Sequence, residues 1–433
     1  MTFDQILPKL QEIFASLSDG LEALDWLIVN RDLYGRVRLV APSAAGRDDK
    51  QQATLGKLSR SLAEELAPHC HASDDVVLYE SEQSSVLQDV SSFQIEQFKN
   101  VWIVDRLATE GNWARIEDEQ NGCPRIVFFS IKGGVGRSTA LAAVAWWLAQ
   151  AGKRVLVLDM DLESPGLSTA LLPDDRRPAY GIIDWLVEDL LDNGESVFDA
   201  MYAKSDLSHE GEIYIVPAHG ADVGEYIAKL GRVWMPKISE DGARENWQNR
   251  LQRLIDKFET KIQPDVILID SRAGIDEISA SCVTALGAKL VLLFALEGTQ
   301  TWSSYRILFK YWLQYSVSEK IRERLQLVGA MIPTGGEKND YLKSLRENAY
   351  YLFAESFYDD IPAGEPIGDR FNFEESDDSA PHNPWRVNWH GDFAGLRSLY
   401  GRLTQVDSDS IRLIFADLLD GIAQILSLEA EHV

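Results

Sequence analysis

The sequence predicts an α/β protein: a doubly wound, mainly parallel sheet preceded by a small α/β domain. Three observations carry this expectation. Between Pro124 and about Pro333, strand-length apolar runs alternate with longer helical segments. Those runs are continuous and rich in β-branched residues, the pattern of strands covered by helices on both faces. Residues 1–112 follow a different rhythm of shorter strands, and a stretch rich in Glu, Asp, Asn and Gly (Glu117–Gly122) separates the two patterns.

Taken in order, a helical spacing of Ile6, Leu10, Ile13, Phe14 and Leu17 opens the chain. Strands are expected at Trp26–Val29 and Val37–Val40, followed by a polar, turn-rich stretch at Ser43–Lys50. A helix through Leu55–Leu66 and strands at Val76–Tyr79 and Val101–Val104 complete the first domain. No chemical motif stands out there; Asp32 and Asp105 read as solvated carboxylates at strand ends. Residues 113–123 are assigned to a linker. The main domain, 124–433, offers strands at Arg125–Phe129, Arg154–Leu158, Glu212–Val216, Asp265–Ile269, Lys289–Ala295 and Leu325–Ile332. Residues of about 335–390 read as a C-terminal insertion. It holds a helix at Glu337–Phe357, then an acidic loop at Asp359–Trp389 rich in Pro, Gly, Asn and aromatics. Ser408–Leu428 is a terminal amphipathic helix. Its polar face sets Asp407, Asp409, Asp417 and Asp420 against Arg412 alone, which suits packing on protein better than on a membrane surface.

Composition narrows the function classes. Of 433 residues, 45% are hydrophobic and 25% charged, ordinary for a globular protein with a sizeable core. No apolar run approaches the roughly 20 residues that span a bilayer, and the N-terminus has no basic segment leading into an apolar one. Cys70, Cys123 and Cys282 are odd in number, far apart and in no CxxC spacing. They point to buried thiols in a reduced, cytoplasmic setting, and away from zinc or disulfides. The net charge of −26 argues against a surface made for nucleic acid or anionic membrane, although a local basic patch stays open. Protein partners become the stronger expectation, without saying which.

The chemistry concentrates in one loop. Ser130-Ile131-Lys132-Gly133-Gly134-Val135-Gly136-Arg137-Ser138-Thr139 follows an apolar strand and precedes a helix bearing Leu141, Val144, Ala145 and Leu148. Glycines let the backbone bring its N–H groups close to phosphate oxygens. The positive end of the following helix points at the same anion. Ser138 is placed to offer its hydroxyl to Mg²⁺. Strand, loop and helix together define a phosphate-binding loop.

This loop resembles the deviant Walker A motif of the ParA/MinD ATPases, Lys-Gly-Gly-x-Gly-Lys-Thr-Thr, and the likeness runs from Arg125 to about Pro333. The resemblance implies a P-loop NTPase domain that binds ATP and Mg²⁺ and forms a homodimer around ATP. Lys132 would reach across to the partner's nucleotide, and Gly133 to Thr139, Val135 included, would cradle the phosphates. The departure is Arg137 where the family has lysine; a planar fork replaces a compact point charge, which leaves fast hydrolysis open. Asp159-Met160-Asp161 resembles switch I, implying that Asp161 orients the attacking water and Asp159 sits near Mg²⁺. Asp270-Ser271-Arg272-Ala273-Gly274 resembles Walker B and switch II. It implies Asp270 at the metal, Gly274 approaching the γ-phosphate, and Arg272 where proline is usual.

Two functions remain open on these residues. One is an ATP- and Mg²⁺-dependent molecular switch with slow hydrolysis that controls a protein partner. The other is a nucleotide-binding scaffold or regulatory module with negligible hydrolysis, within a bacterial process such as positioning or defence. Arg137 is the residue that divides them.

Overall fold

Helix α1 (Ile6–Ala15) turns Ile6, Leu10, Ile13 and Phe14 to one side, and all four are buried. They cover one face of a sheet built from β1 (Leu27–Arg31), β2 (Val37–Pro42), β3 (Val77–Glu80), β4 (Ser92–Ile95) and β5 (Phe98–Asp105). Helix α2 (Asp49–Glu65) lies on the same face through Leu55, Leu58 and Leu62, with Asp48 as its N-cap accepting from the Lys50 and Gln51 N–H groups. The strand order is β3-β2-β1-β5-β4. The β1–β2 and β4–β5 pairs are antiparallel, the others parallel. A smaller cluster of Trp26, Ile28, Val40 and Val104 forms on the opposite face. The carboxylates weighed in the sequence have structural partners: Asp105 pairs with Arg31, and Asp32 closes a turn by accepting the Tyr34 and Arg36 N–H groups at 2.9 Å.

The computed structural model describes residues 1–88, 90–108, 112–207, 210–239, 241–362, 368–393 and 396–428. The chain separates into two compact units, Met1–Thr109 with Gln314–Ser316, and Glu110–Leu313 with Val317–Val433.

The second unit begins with a segment that the sequence assigned to a linker. Trp113, Ala114 and Ile116 are buried; Trp113 packs 5.8 Å from Phe129, and the Trp312 indole N–H donates to its carbonyl at 2.8 Å. Residues 113–123 therefore belong to this unit, because their apolar side chains complete its core. The eight-stranded sheet comprises β6 (Arg125–Ser130), β7 (Arg154–Asp159), β8 (Ala203–Lys204), β9 (Glu212–Val216), β10 (Val266–Ala273), β11 (Leu290–Ala295), β12 (Leu325–Ile332) and β13 (Trp385–Asn388). Its order is β13-β12-β11-β6-β10-β7-β9-β8, parallel throughout except at the two-residue edge strand β8. β6 and β11 are buried at every position, because helices cover both faces.

On one face lie α3 (Arg137–Gln150), α10 (Leu396–Leu403) and α11 (Ser408–Ile425). On the other lie α4 (Ile182–Asp189), α6 (Trp247–Ile262), α8 (Thr299–Gln314) and α9 (Lys338–Ser356). Short helices α5 (Tyr226–Leu230) and α7 (Glu277–Ala280) lie in the connections. The expected insertion at 335–390 is corrected on two counts. Leu345, Ala349, Leu352 and Phe353 of α9 enter the main core, and β13 adds to β12 as the edge of the main sheet. The terminal helix packs as expected, through Ile411, Ile414, Phe415, Leu418 and Ile422. It also uses a glycine: a Cβ on Gly421 would lie 2.3 Å from the Trp385 ring, so its absence lets β13 and α11 meet.

From β6 the chain passes over to β7, returns to insert β10 between them, then crosses to β11 on the far side of β6. This reversal of direction opens a crevice at the carboxyl end of β6, the place where doubly wound sheets bind ligands.

Candidate functional site

The loop leaves β6 at Ser130 and enters α3 at Arg137. Gly134 and Gly136 take φ of +74° and +78°, and neither would meet a close neighbour with a Cβ. Backbone conformation, not space, requires glycine there. α3 is buried around most of its surface, with alanines at 140, 142, 143, 145 and 149, so its N-terminus is fixed rigidly behind the loop.

A cleft of about 800 Å³ opens over this N-terminus. Its polar end is lined by Ser130, Gly133 to Thr139, Asp161, Ser164, Arg272 and Ala273. Its apolar end is lined by Met331, Val387, Asn388, Trp389, His390, Phe393, Ile414 and Phe415. Of the residues expected from the sequence, Gly133, Gly134, Val135, Gly136, Arg137, Ser138, Thr139 and Asp161 are brought together. Lys132 is half-buried on the loop and lies outside this lining. Gly274 also lies outside it, and its N–H, expected at a phosphate, donates instead to the Ser130 carbonyl at 2.9 Å. That bond closes the step from Asp270 to Ala273, where β10 slips register against β6.

The apolar end was missed by sequence reasoning. Asn388 ends a four-residue strand inside a segment read as loop, Trp389 and His390 follow it, and Phe415 comes from the terminal helix. Met331 closes the wall at φ +50°, a left-handed conformation that costs a side-chain-bearing residue about 1 kcal/mol or more. Phe393 packs edge-on against Phe415 at 5.8 Å. Trp389 is half exposed at the mouth.

The charged centre follows from strand register. Asp159 and Asp270 are direct partners on adjacent parallel strands, so both stand at one height. Arg137 turns inward onto this pair: its Nε donates to Asp270 Oδ1 at 2.6 Å and its Nη1 to Ser130 Oγ at 3.3 Å, while Nη2 lies 3.8 Å from Asp161 Oδ2. Arg137 is 7% exposed and Asp270 1%. Burial raises the Asp270 carboxyl above its ordinary value, against the opposing pull of Arg137 and the Ser138 hydroxyl. Asp159 is fully buried. Burial, then the Asp270 and Asp161 charges, push its carboxyl up to about 8. Its oxygens accept backbone N–H groups of Asp161 at 3.2 Å, Gly166 at 3.3 Å and Leu167 at 3.2 Å, which folds the loop after β7 against the strand. Asp161 Oδ1 accepts the Ser164 N–H at 3.2 Å and its hydroxyl at 3.0 Å. Arg272, left aside in the sequence reading, lines the cleft and pairs with Glu163 at 2.6 Å.

These contacts bear on the Mg²⁺ expected at Ser138, Asp159 and Asp270. Magnesium needs oxygen ligands free to approach to about 2.1 Å in octahedral array. Asp159 is committed to backbone amides, and Asp270 to a guanidinium. The donor set as it stands does not fit the ion.

Elsewhere, of the three thiols expected to be buried, Cys70 and Cys123 are only half-buried. All three are free; Cys282 is buried, and burial raises Cys70 to about 11 and Cys123 to about 12. Among the described residues no helix is long and apolar enough to cross a membrane.

The fold and the loop define a nucleotide-binding domain of the phosphate-loop class. Residues 126–425 match the CobQ/CobB/MinD/ParA nucleotide binding domain, and the chain belongs to that family. Among curated proteins it is similar to an uncharacterized ATP-binding protein of Methanocaldococcus jannaschii, 24% identical over 172 residues, 40% of this chain and 53% of that protein. It is also similar to the septum site-determining protein MinD of Buchnera aphidicola, 28% identical over 176 residues, 41% of this chain and 51% of that protein. The chain thus spans about half the length of these relatives. Among solved structures, a ParA family ATPase from Chlorobium tepidum superposes with a TM-score of 0.42 at 15% identity, covering 71% of this chain and 99% of that one.

Proposed function

We propose that this chain is an ATP-binding molecular switch of the ParA/MinD type. The observation that carries the reading is the loop Gly133–Thr139 at the carboxyl end of the central strand, opening a cleft of about 800 Å³ lined both by the loop and by apolar side chains. The triphosphate lies on the backbone N–H groups of the loop and the N-terminus of α3. The base lies against Met331, Asn388 and Trp389. Asp161, which lines the cleft beside the loop, orients the water that attacks the γ-phosphate. Lys132, outside the cleft of its own chain, serves the nucleotide of a second copy, so ATP closes a homodimer. Release follows slow hydrolysis, and a protein partner reads the two states, in keeping with a net charge of −26 that disfavours nucleic acid.

Arg137 favours a second reading, a nucleotide-holding scaffold with negligible turnover, because its guanidinium is engaged by Asp270 and Ser130. Three measurements separate the readings. Equilibrium ATP binding should be present in the wild type; its absence removes both. Light scattering with a nonhydrolysable analogue should show a dimer that Lys132→Ala abolishes. Steady phosphate release above background supports the switch, and its absence the scaffold.

A further inference from the structure

We propose that the Arg137 guanidinium takes the place of a divalent cation in this cleft, so that the loop accepts nucleotide without a bound metal. The inference rests on the nucleotide reading of the same cleft and goes beyond it.

The geometry is that of a fixed internal counter-ion. In one side chain, three nitrogens face acceptors on three segments: Nε on Asp270 of β10, Nη1 on Ser130 at the end of β6, Nη2 toward Asp161 in the loop after β7. A metal at a phosphate loop would gather the same neighbourhood, with Ser138 and Asp270 as its protein-side oxygens. Here the Ser138 hydroxyl is itself turned onto the Asp270 carboxylate. Asp159, the remaining carboxylate at that height, has its oxygens filled by three backbone N–H groups.

Shape explains why arginine achieves this and lysine would not. A guanidinium is a planar fork with five N–H donors, held at fixed angles and charged at every relevant pH. It neutralises Asp270 from one edge and still offers N–H groups along the other. An ammonium is a point charge that meets one acceptor cluster at a time. A cation approaching Asp270 must first displace this guanidinium from a site where both partners are almost fully buried, leaving its charge without a partner.

The loop also has anion-binding capacity that owes nothing to a metal. The N-terminus of α3 and the backbone of Gly133 to Thr139 face the cleft, and Arg137 and Arg272 both line it. Arg272 is held by Glu163 at the rim, with its side chain 30% exposed. A polyphosphate therefore meets two guanidinium groups and a helix N-terminus.

The test is titration of a fluorescent ADP analogue into the full chain, in excess EDTA and in millimolar MgCl₂. The wild type should bind with affinities within about threefold of one another in the two buffers, and Arg137→Lys should gain about tenfold or more from Mg²⁺. Wild-type binding that weakens about tenfold or more in EDTA overturns the inference and leaves the nucleotide reading standing. Binding in neither buffer overturns both.

Discussion

Replacing Arg137 by methionine keeps the length and most of the volume of the side chain and deletes its charge. Asp270 would then stand 1% exposed with no cation beside it. Removing one partner of a buried pair costs about 3–5 kcal/mol, most of it the desolvation of the charge left behind. Two features of this site draw the figure to the lower end. The Ser138 hydroxyl still bonds the carboxylate, and burial has already raised the Asp270 carboxyl, so it protonates more readily once Arg137 is gone. A loss of about 3 kcal/mol follows, and at about 2 °C per kcal/mol for a large domain the melting point drops by roughly 6 °C. The assay is a double-mutant cycle of Arg137→Met, Asp270→Asn and the double variant, followed by chemical denaturation in nucleotide-free buffer. The double variant should be more stable than the sum of the single losses implies, by about 2 kcal/mol. A single-variant loss under about 1 kcal/mol, or strict additivity, would refute a buried pair as the centre of the site.

Three further outcomes follow from the structure. Trp389→Ala should weaken ATP binding by roughly tenfold if the ring stacks on the base, within the ~1–3 kcal/mol per base seen for aromatic stacking, and leave inorganic phosphate binding unchanged; equal loss for both ligands would move the base elsewhere. Gly421→Ala drives a Cβ to 2.3 Å from the Trp385 ring and should cost about 1–3 kcal/mol by overpacking, read from the denaturation midpoint. Burial alone would raise Asp189, but Arg253 and Arg250, bonded to it at 2.9 Å, hold its carboxyl below the ordinary range. That stabilisation is whole above the unfolded value of about 3.9 and disappears as pH falls through the lower folded value, so Asp189→Asn should flatten the acid limb of a melting-point profile.

The central strands were legible because each is covered on both faces, which leaves a continuous apolar run: Arg125–Phe129 and Lys289–Ala295 fall within a residue of β6 and β11. β13 was not, because four residues with one buried position carry no such run and sit among acidic, Pro-rich neighbours. β4 was missed for a like reason, as a short arm paired antiparallel with β5. Trp113 and Ile116 were taken for linker because a packed extended segment has no periodicity to announce it. Within the site, the loop was readable since its glycines, Arg137 and Ser138 are consecutive. The apolar wall was not, since Met331, Trp389 and Phe415 come from three elements joined only by the fold. Least visible was the partner of Arg137: Asp270 lies 133 residues along the chain, and strand register alone brings them to 2.6 Å.

The most direct measurement is the stoichiometry and affinity of ATP for the full chain by isothermal titration, beside Gly136→Val. Gly136 sits at φ +78° where the loop enters α3, and a β-branched residue cannot adopt that conformation without strain. One ATP per chain, displaced by ADP and lost in Gly136→Val while the variant keeps its folded melting transition, is the predicted result. Absence of ATP binding by the wild type, or undiminished binding by Gly136→Val, would contradict the assignment of this loop as the nucleotide site.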